Sequence, residues 1–540
     1  MKQTPSDDSL LEAARFRVRA RQVLAHDHFD LRRPLVHASG AAYPALAKRG
    51  HGARFVDSRD QVWLDWVGAG GPNLLGHGDS EVAEAVSRAA SEGTSFGAVH
   101  PLQIQLAERL VEMIPCAEQV AFGKNGSDAL TAALRVARAT TGREIFLHYG
   151  MHGFHDWFLA GRTTVRGVPH ELAGKLIPFR YDDLEQLDEL FERFAGRVAG
   201  VLMEPIREEL PSEGYLRAVA DRCRAEGALL IWDEVVTAFR LGPGGAQTVT
   251  GVQPDLACLG KGMANGFPLS ALVGTREAMA PVPAVGFGMT FRGEVAALAA
   301  ANVVTRRVLH EGVADRLRST GAELRVHVAE LAERHRLKVR LGGPEARSTF
   351  HFDDQSGVPG VRLLDRFVDG CLTRGLFTNG NLLPCFAHGP AEIQETVAVL
   401  DEVLGELGEV VAAPDELRPP LRACLATGYL ECLRFGPTGV VLGGWILVDG
   451  EAAERLDVTD PQGNVHSLDT AERPDVVTTP GAKTAAGFQS AELPWSDSGP
   501  WVLRAWCKQT CIFQVRLLPD EEGEPLPVWV GDGVALVRVE

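Results

Sequence analysis

Uninterrupted apolar runs alternate with amphipathic stretches through the middle of this 540-residue chain. Three of the runs, at residues 198–203, 229–232 and 256–259, contain no charged side chain. Short runs without alternation are typical of strands that are buried on both faces of a parallel sheet. They therefore predict neighbouring buried strands, and ligands bind beyond the carboxyl ends of such strands.

Other segments show hairpin or helical patterns. Two apolar runs, Phe55–Val56 and Val62–Leu64, flank a polar Ser-Arg-Asp turn and predict a β-hairpin. Apolar side chains recur at helical spacing in several longer stretches, of which the first carries Asp7 or Asp8 as a candidate cap. The predicted helices cover residues 9–24, 296–309, 313–335 and 361–374.

The pattern changes beyond about residue 414. The sequence Arg418-Pro419-Pro420 indicates a linker, and the chain then carries short apolar strands separated by turn signals such as Asp460-Pro461. Strands at this spacing predict an accessory β-sandwich over residues 420–540. Carbohydrate binding, protein docking and inert packing are the alternatives for its role.

Chemically distinctive side chains follow the three apolar runs. Glu204 ends the first and Asp233 ends the second. Lys261 follows the third, between Gly260 and Gly262, where a planar ligand could approach the backbone closely. A desolvated lysine can act as a nucleophilic amine, and a fixed carboxylate can hold a pyridinium N–H. The alternatives are a surface lysine in a glycine loop and an Asp that caps the next helix.

A fourth candidate lies where the short run 120–122 passes into an alanine-rich segment through Asn125, Gly126 and Ser127. The N–H groups and positive end of a helix that begins here would bind an anion, and the serine hydroxyl adds a donor. A phosphate fits such a turn. The alternative is a capped helix without a ligand.

Composition limits the class of protein. With 45% hydrophobic and 23% charged residues, the chain has the composition of a soluble globular protein, and its length indicates two or more domains. The formal charge of -17 argues against nucleic acid or an anionic membrane as a partner. No apolar run has membrane-spanning length and the start lacks a signal-peptide core, so we expect a cytoplasmic protein. Scattered cysteines and the irregular spacing of His148, His152 and His155 predict no metal site.

The segment from Asp233 to Gly274, DEVVTAFRLGPGGAQTVTGVQPDLACLGKGMANGFPLSALVG, resembles the class III (subgroup II) aminotransferases that use pyridoxal 5'-phosphate (PLP). Within that class it is most similar to the glutamate semialdehyde aminomutase-like enzymes, over roughly residues 35 to 405. The resemblance implies fold type I: an α/β large domain with a mixed, mostly parallel sheet and a small α+β lobe. We therefore expect a helical segment at 1–50, the PLP-binding domain at 51–305, the small lobe at 306–410 and the all-β domain at 420–540.

The resemblance also implies roles for individual residues. Lys261 would be the Schiff-base lysine, Asp233 would pair with the ring nitrogen and Val235 would pack on one ring face. Met151 stands where the family has a stacking aromatic, for which Tyr149 or Phe154 could substitute. The remaining cofactor-side residues are Asn125, Gly126 and Ser127 at the phosphate, His152, Glu204, and Thr290, which would reach the phosphate in a neighbouring subunit of a homodimer.

Two departures from the family concern the substrate. Leu46 and Asn381 stand where family members carry a carboxylate-binding arginine, and a bidentate arginine pair is strong and specific. A neutral hydroxylated acceptor, such as a keto-sugar of a polysaccharide pathway, therefore fits better than an amino acid. Arg207, Arg292 and Asn381 are the candidate substrate contacts.

The resulting prediction is an aminotransferase that moves an amino group from an amino-acid donor to a small carbonyl acceptor. An intramolecular aminomutase of the glutamate semialdehyde type would use the same residues without a separate donor. The alternative outside the enzymes is a non-catalytic scaffold that keeps the PLP fold and carries a glycan- or protein-binding module.

Overall fold

A computed structural model describes residues 46–160, 167–172, 174–288 and 290–412, ten strands beyond residue 425, and Arg19 and Val23. The predicted N-terminal helix at 9–24, apart from those two residues, and the predicted linker lie outside the described residues. In the described part of the chain, no helix is both long and apolar enough to cross a membrane.

Strands and helices alternate through most of the region before residue 412. The strands there are β1 (Ala47–His51), β2 (Arg54–Asp57), β3 (Val62–Asp65), β4 (Gln119–Gly123), β5 (Ile145–Tyr149), β6 (Leu176–Pro178), β7 (Val198–Met203), β8 (Leu229–Asp233), β9 (Leu256–Leu259), β10 (Ser270–Gly274), β11 (Val339–Gly342), β12 (Ser348–Phe352), β13 (Leu376–Phe377) and β14 (Asn381–Leu382). The α-helices are α1 (Ser80–Glu92), α2 (Pro101–Met113), α3 (Gly126–Thr141), α4 (Asp156–Leu159), α5 (Leu184–Arg193), α6 (Tyr215–Glu226), α7 (Gly245–Thr250), α8 (Arg276–Met279), α9 (Val295–His310), α10 (Val313–Arg334), α11 (Gly360–Thr373) and α12 (Pro390–Ala412).

A seven-stranded sheet forms the centre of the large domain, with strand order β4-β10-β9-β8-β7-β5-β6. β10 runs antiparallel to both of its neighbours, and the other pairs are parallel. The predicted runs form β7, β8 and β9, and every residue of β7 and β9 is buried. The mixed, mostly parallel sheet expected for fold type I is therefore confirmed.

Helix boundaries agree with the sequence pattern to within one residue at α9, α10 and α11. The first turn of α9 is capped by Glu294, whose carboxylate accepts the N–H groups of Ala296 and Ala297. A carboxylate at this end satisfies N–H groups that have no partner within the helix. The N-cap of this helix is therefore Glu294 and not the preceding Thr290.

The predicted hairpin is confirmed, since β2 and β3 pair antiparallel. β3 also pairs in parallel with β13, so the hairpin belongs to a four-stranded sheet β1-β2-β3-β13. Trp63 of this hairpin and Trp66 just after it lie in one apolar cluster with Phe350 and Phe367 of the C-terminal lobe. The start of the 51–305 segment thus contributes to the core of the lobe rather than to the central sheet. A second small sheet, β11-β12-β14, completes that lobe.

The described residues beyond 425 form ten strands, which agrees with the expected all-β region. The strands are β15 (Ala426–Gly436), β16 (Gly439–Val448), β17 (Glu451–Ala452), β18 (Arg455–Thr459), β19 (Val465–Glu472), β20 (Ala486–Gln489), β21 (Trp501–Cys507), β22 (Thr510–Pro519), β23 (Pro525–Trp529) and β24 (Ala535–Val539). They join in the order β23-β22-β21-β18-β19-β20-β16-β15-β24, with β17 paired to β16. All pairs are antiparallel except β15 with β24. The sandwich arrangement stays a prediction.

Candidate active site

The candidate residues converge because of the directions of five strands. β5, β7, β8 and β9 are mutually parallel, and β4 has the same direction because β10 is antiparallel to both β4 and β9. Their carboxyl ends therefore meet at one edge of the sheet. That edge carries the turn 125–127, residues 149–152, Glu204, Asp233 and Lys261.

Asp233 is the last residue of β8 at this edge and is 5% exposed. Its Oδ2 lies 2.8 Å from Nδ1 of His152, and its Oδ1 accepts the N–H of Val235 at 3.1 Å. The local chain forms a turn, and α7 begins only at Gly245, so the alternative that Asp233 caps the next helix is wrong. His152 is fully buried, and its Nε2 has no hydrogen-bond partner in the described part of the chain.

Val235 connects the phosphate-type turn with the lysine turn. A Cβ at Gly126 would lie 2.9 Å from Cγ2 of Val235, and one at Gly260 would lie 3.4 Å from its Cγ1. Lys261 follows Gly260 directly, is half-buried, and has a φ of 38°. A non-glycine residue in the left-handed region is uncommon and is often associated with function. Asp233, Val235, the turn at Gly126 and the lysine turn thus form one continuous surface.

The turn before α3 has the geometry of an anion site. Asn125 is the N-cap, and the carboxylate of Asp128 accepts its N–H at 2.7 Å. Ser127 is 7% exposed, and a Cβ at Gly153 would lie 2.0 Å from its Oγ. Gly153 has a φ of 95°, so both its conformation and the close approach of the serine require glycine.

Residues 290–294 lie beside the same turn. The Nζ of Lys124 lies 3.0 Å from Oε2 of Glu294. Burial acts to raise the pKa of Glu294, but Lys124 and the N–H groups of α9 outweigh it and the pKa is lowered. Thr290 and Arg292 of this segment are exposed.

The position at which the family has a stacking aromatic, residue 151, is exposed to solvent. Met151 is 57% exposed, and its N–H donates to Oε1 of Glu204 at 2.9 Å. Tyr149 instead stacks on Tyr181, with ring centroids 4.6 Å apart, and Phe154 is exposed. Met151 therefore lies at the edge of the site, while Tyr149 belongs to a neighbouring aromatic cluster.

Two predicted substrate positions make their hydrogen bonds outside this edge. The side-chain oxygen of Asn381 accepts the hydroxyl of Thr349 at 2.8 Å, and its amide donates to Asn379 at 3.0 Å. The carbonyl of Leu46 accepts the N–H of Ser58 at the hairpin. Arg207 does reach the edge, since its Nε lies 3.8 Å from Oε1 of Glu204.

Two residues at the site, Arg347 and Asn265, were not predicted from the sequence. Arg347 reaches Glu204 with both terminal nitrogens at 3.4 Å. Asn265 has a φ of 45° and ties the lysine turn to the loop before α1 through Leu75 and Gly76. The position of Asn265 in the turn after Lys261 was a usable signal, whereas the contact of Arg347 depends on packing between distant segments.

Glu234 and Arg240 belong to the same motif as Asp233 but are both fully buried. Glu234 accepts bonds from Thr237, Gln247 and the Ala246 N–H, and burial raises its pKa to about 7. The terminal nitrogens of Arg240 donate to the backbone carbonyls of Gly71, Ala346 and Pro384, and burial lowers its pKa to about 10. Both side chains therefore hold together the backbone segments around the site.

Known proteins are similar in sequence to the part of the chain that contains this site. A model of the family Aminotransferase class-III matches residues 36–344. The glutamate-1-semialdehyde 2,1-aminomutase of Symbiobacterium thermophilum is 34% identical over an aligned length of 398 residues, and the match covers 68% of this chain and 92% of that protein. The 3-aminobutyryl-CoA aminotransferase of Cloacimonas acidaminovorans is 32% identical over 409 residues, covering 73% and 96% of the two chains. The FumI protein of Sphingopyxis sp. MTA144, solved in its PLP internal aldimine form, is 28% identical with a TM-score of 0.68, covering 76% and 99%.

Proposed function

Because the chain belongs to the class-III aminotransferases, which are PLP-dependent enzymes, we propose that it moves an amino group from an amino-acid donor to a carbonyl acceptor. The observation that carries this proposal is the surface on which Lys261, Val235, Asp233 and the turn 125–127 meet. A lysine, a buried carboxylate and an anion-binding turn on one surface match the three chemically distinct parts of PLP.

The residues present fit this cofactor. Asp233 offers a buried carboxylate for a protonated ring nitrogen, and the orphaned Nε2 of His152 marks a polar site beside it. The close contact between Ser127 and Gly153 fixes the serine hydroxyl within the turn that would hold the phosphate. Val235 would pack against one face of the ring.

The chain's own residues would then divide the work of transamination. Bound PLP supplies an electron sink for the carbon that loses its proton. The Nζ of Lys261 would remove the proton from Cα of the donor and return one later in the cycle. Asp233 would hold the proton on the ring nitrogen, and His152 would orient that carboxylate through the 2.8 Å contact.

The subunit arrangement is part of the same proposal. Thr290 is exposed although it lies in a segment anchored to the phosphate-type turn by Lys124 and Glu294. An exposed threonine at this place supports a homodimer in which Thr290 reaches the phosphate of the partner subunit.

For the acceptor we propose a neutral carbonyl compound, such as a keto-sugar. The absence of arginine at positions 46 and 381 supports this class, and Asn381 is engaged with Thr349 and Asn379. The similarity to the Symbiobacterium thermophilum aminomutase favours a second candidate, an intramolecular aminomutase. That activity would require no stoichiometric amino donor.

The first experiment is an absorbance titration of the PLP-loaded protein with glutamate and other amino donors. We expect a cofactor band that shifts on donor addition, and loss of both the band shift and turnover in Lys261→Ala. Lys338→Ala, an exposed lysine of the C-terminal lobe, is the matched control and should behave as wild type.

Each outcome discriminates between the candidates. A band that no donor shifts, with turnover of an amino aldehyde in the absence of donor, would replace the aminotransferase with the aminomutase. Full turnover by Lys261→Ala would overturn the assignment of the lysine.

A further inference from the structure

Two guanidinium groups converge on one carboxylate at the edge of the candidate site. Both terminal nitrogens of Arg347 lie 3.4 Å from Oε2 of Glu204, and the Nε of Arg207 lies 3.8 Å from Oε1. The three side chains come from the end of β7, the loop after it and the turn before β12. Two cations therefore approach Glu204, while Oε1 of Glu208 lies 3.5 Å from Nη2 of Arg207.

This cluster lies next to the proposed cofactor site. Met203 and Trp232 are register partners in the parallel pair β7–β8, so the residues that follow them, Glu204 and Asp233, lie side by side. Register partners in a sheet point to the same face, and neighbouring strands are about 4.8 Å apart. Oε1 of Glu204 also accepts the N–H of Met151, which precedes His152.

Glu204 does not satisfy either arginine well. Charge-assisted hydrogen bonds between guanidinium and carboxylate are normally about 2.7–2.9 Å long. Both contacts of Arg347 are longer, and the 3.8 Å separation to Arg207 is too long for a hydrogen bond. The Nε of Arg207 is buried without a hydrogen-bond partner in the described residues. The nearby Glu208 approaches Arg207 at 3.5 Å and is 47% exposed.

Two other polar side chains near the site, Arg240 and Asn381, are not placed to bind an anionic ligand. Arg240 is fully buried and both of its terminal nitrogens bond to backbone carbonyls. Asn381 is neutral and bonded within the C-terminal lobe. Arg347 and Arg207 are partly exposed, at 15% and 33% of their side chains, and so are accessible to a ligand.

We propose that Arg347 and Arg207 form the anion subsite that holds the carboxylate of the amino donor. A carboxylate placed there would supply the short bidentate bonds that Glu204 does not make. The neutral acceptor would leave the two arginines to Glu204. This inference rests on the proposed aminotransferase function and assigns the substrate contact for its first half-reaction.

The test compares two donors that differ by the carboxylate. L-alanine and isopropylamine share an amino-bearing carbon, and one carries a carboxylate where the other has a methyl group. For Arg347→Gln in the full-length PLP-loaded enzyme, we expect a loss of about 10- to 100-fold in kcat/KM for L-alanine, seen mainly in KM. The rate with isopropylamine should stay within about twofold of wild type, and Arg207→Gln should show a smaller loss of the same kind.

Two further measurements complete the design. Propionate carries the carboxylate without the amine, and its competitive inhibition of whichever donor is active should weaken about tenfold or more in Arg347→Gln. Arg347→Lys keeps the charge but loses the bidentate geometry and should give an intermediate loss. Arg340→Gln, an exposed arginine on β11, is the matched control and should change neither donor.

The outcomes separate this inference from the function on which it rests. If no donor shifts the cofactor spectrum of the wild type, the proposed function fails. If donors react but Arg347→Gln loses equally with L-alanine and isopropylamine, or leaves propionate inhibition unchanged, the anion subsite is overturned and the aminotransferase assignment stands.

Discussion

The contact between Gly126 and Val235 allows a quantitative test of the proposed cofactor site. In Gly126→Ala the new methyl would lie 2.9 Å from Cγ2 and 3.1 Å from Cγ1 of Val235. Carbon atoms in optimal contact are about 3.5–4.0 Å apart, so Val235 must move by roughly 0.5 Å or more. Val235 is β-branched and has few alternative rotamers, so the displacement moves its methyl groups toward the proposed ring site.

The expected magnitude follows from overpacking. Inserting a methyl group into a well-packed site costs about 1–3 kcal/mol, which is roughly a 5- to 150-fold loss of PLP affinity if the bound state bears it. The backbone is not the cause, because Gly126 does not have a positive φ and alanine is the better helix former. We therefore expect the apoprotein to unfold at about the wild-type denaturant concentration.

A double-mutant cycle isolates the contact. Val235→Ala removes both methyl groups, so adding Gly126→Ala to that background should cost less than about 0.5 kcal/mol. PLP affinity of the four proteins is measured by equilibrium titration of the cofactor absorbance. Additive losses across the cycle, or wild-type affinity in Gly126→Ala, would refute the assignment of Val235 to the ring surface.

Three further predictions concern other parts of the structure. Gly153→Ala should weaken binding of PLP but not of pyridoxal, which lacks the phosphate, because the new Cβ would lie 2.0 Å from Oγ of Ser127; competition titrations with the two compounds test this. Burial lowers the pKa of His388 to about 4 from 6.5, so the unfolded chain binds the extra proton first and stability falls as pH drops from about 6.5 toward 4. From pH 7 to 5 this amounts to about 2 kcal/mol, and urea unfolding of His388→Phe should show a shallower pH dependence by that amount. If Thr290 completes the partner's site, mixing the inactive variants Lys261→Ala and Thr290→Ala should restore activity through mixed dimers, whereas two independent sites would give no recovery.

The central sheet could be predicted because its signal is local. The runs that form β7, β8 and β9 are continuous and apolar, and their chemistry-bearing residues immediately follow them in the chain. Since parallel strands end at one edge, Glu204, Asp233 and Lys261 had to meet without any knowledge of packing. The same locality explains why α9 was predicted to within one residue at each end.

Contacts between distant segments were not predictable in this way. The pairing of β3 with β13 and the approach of Arg347 to Glu204 join residues that share no sequence pattern. The N-cap of α9 also lay outside the sequence prediction, because glutamate is not among the residues preferred at that position. The structure selects Glu294, whose carboxylate reaches two N–H groups and Lys124 together.

The two carboxylates at the sheet edge, Asp233 and Glu204, have different charged neighbours. Asp233 is held by His152 and a backbone N–H, an arrangement that keeps the carboxylate fixed for a cationic ring. Glu204 lies beside it on the same face, but the guanidinium groups of Arg207 and Arg347 approach it there. A ligand with a cationic ring nitrogen and an anionic substrate group would therefore have one preferred orientation at this edge. The order of β7 and β8 in the sheet sets that orientation, so substrate selectivity and cofactor placement have the same structural origin.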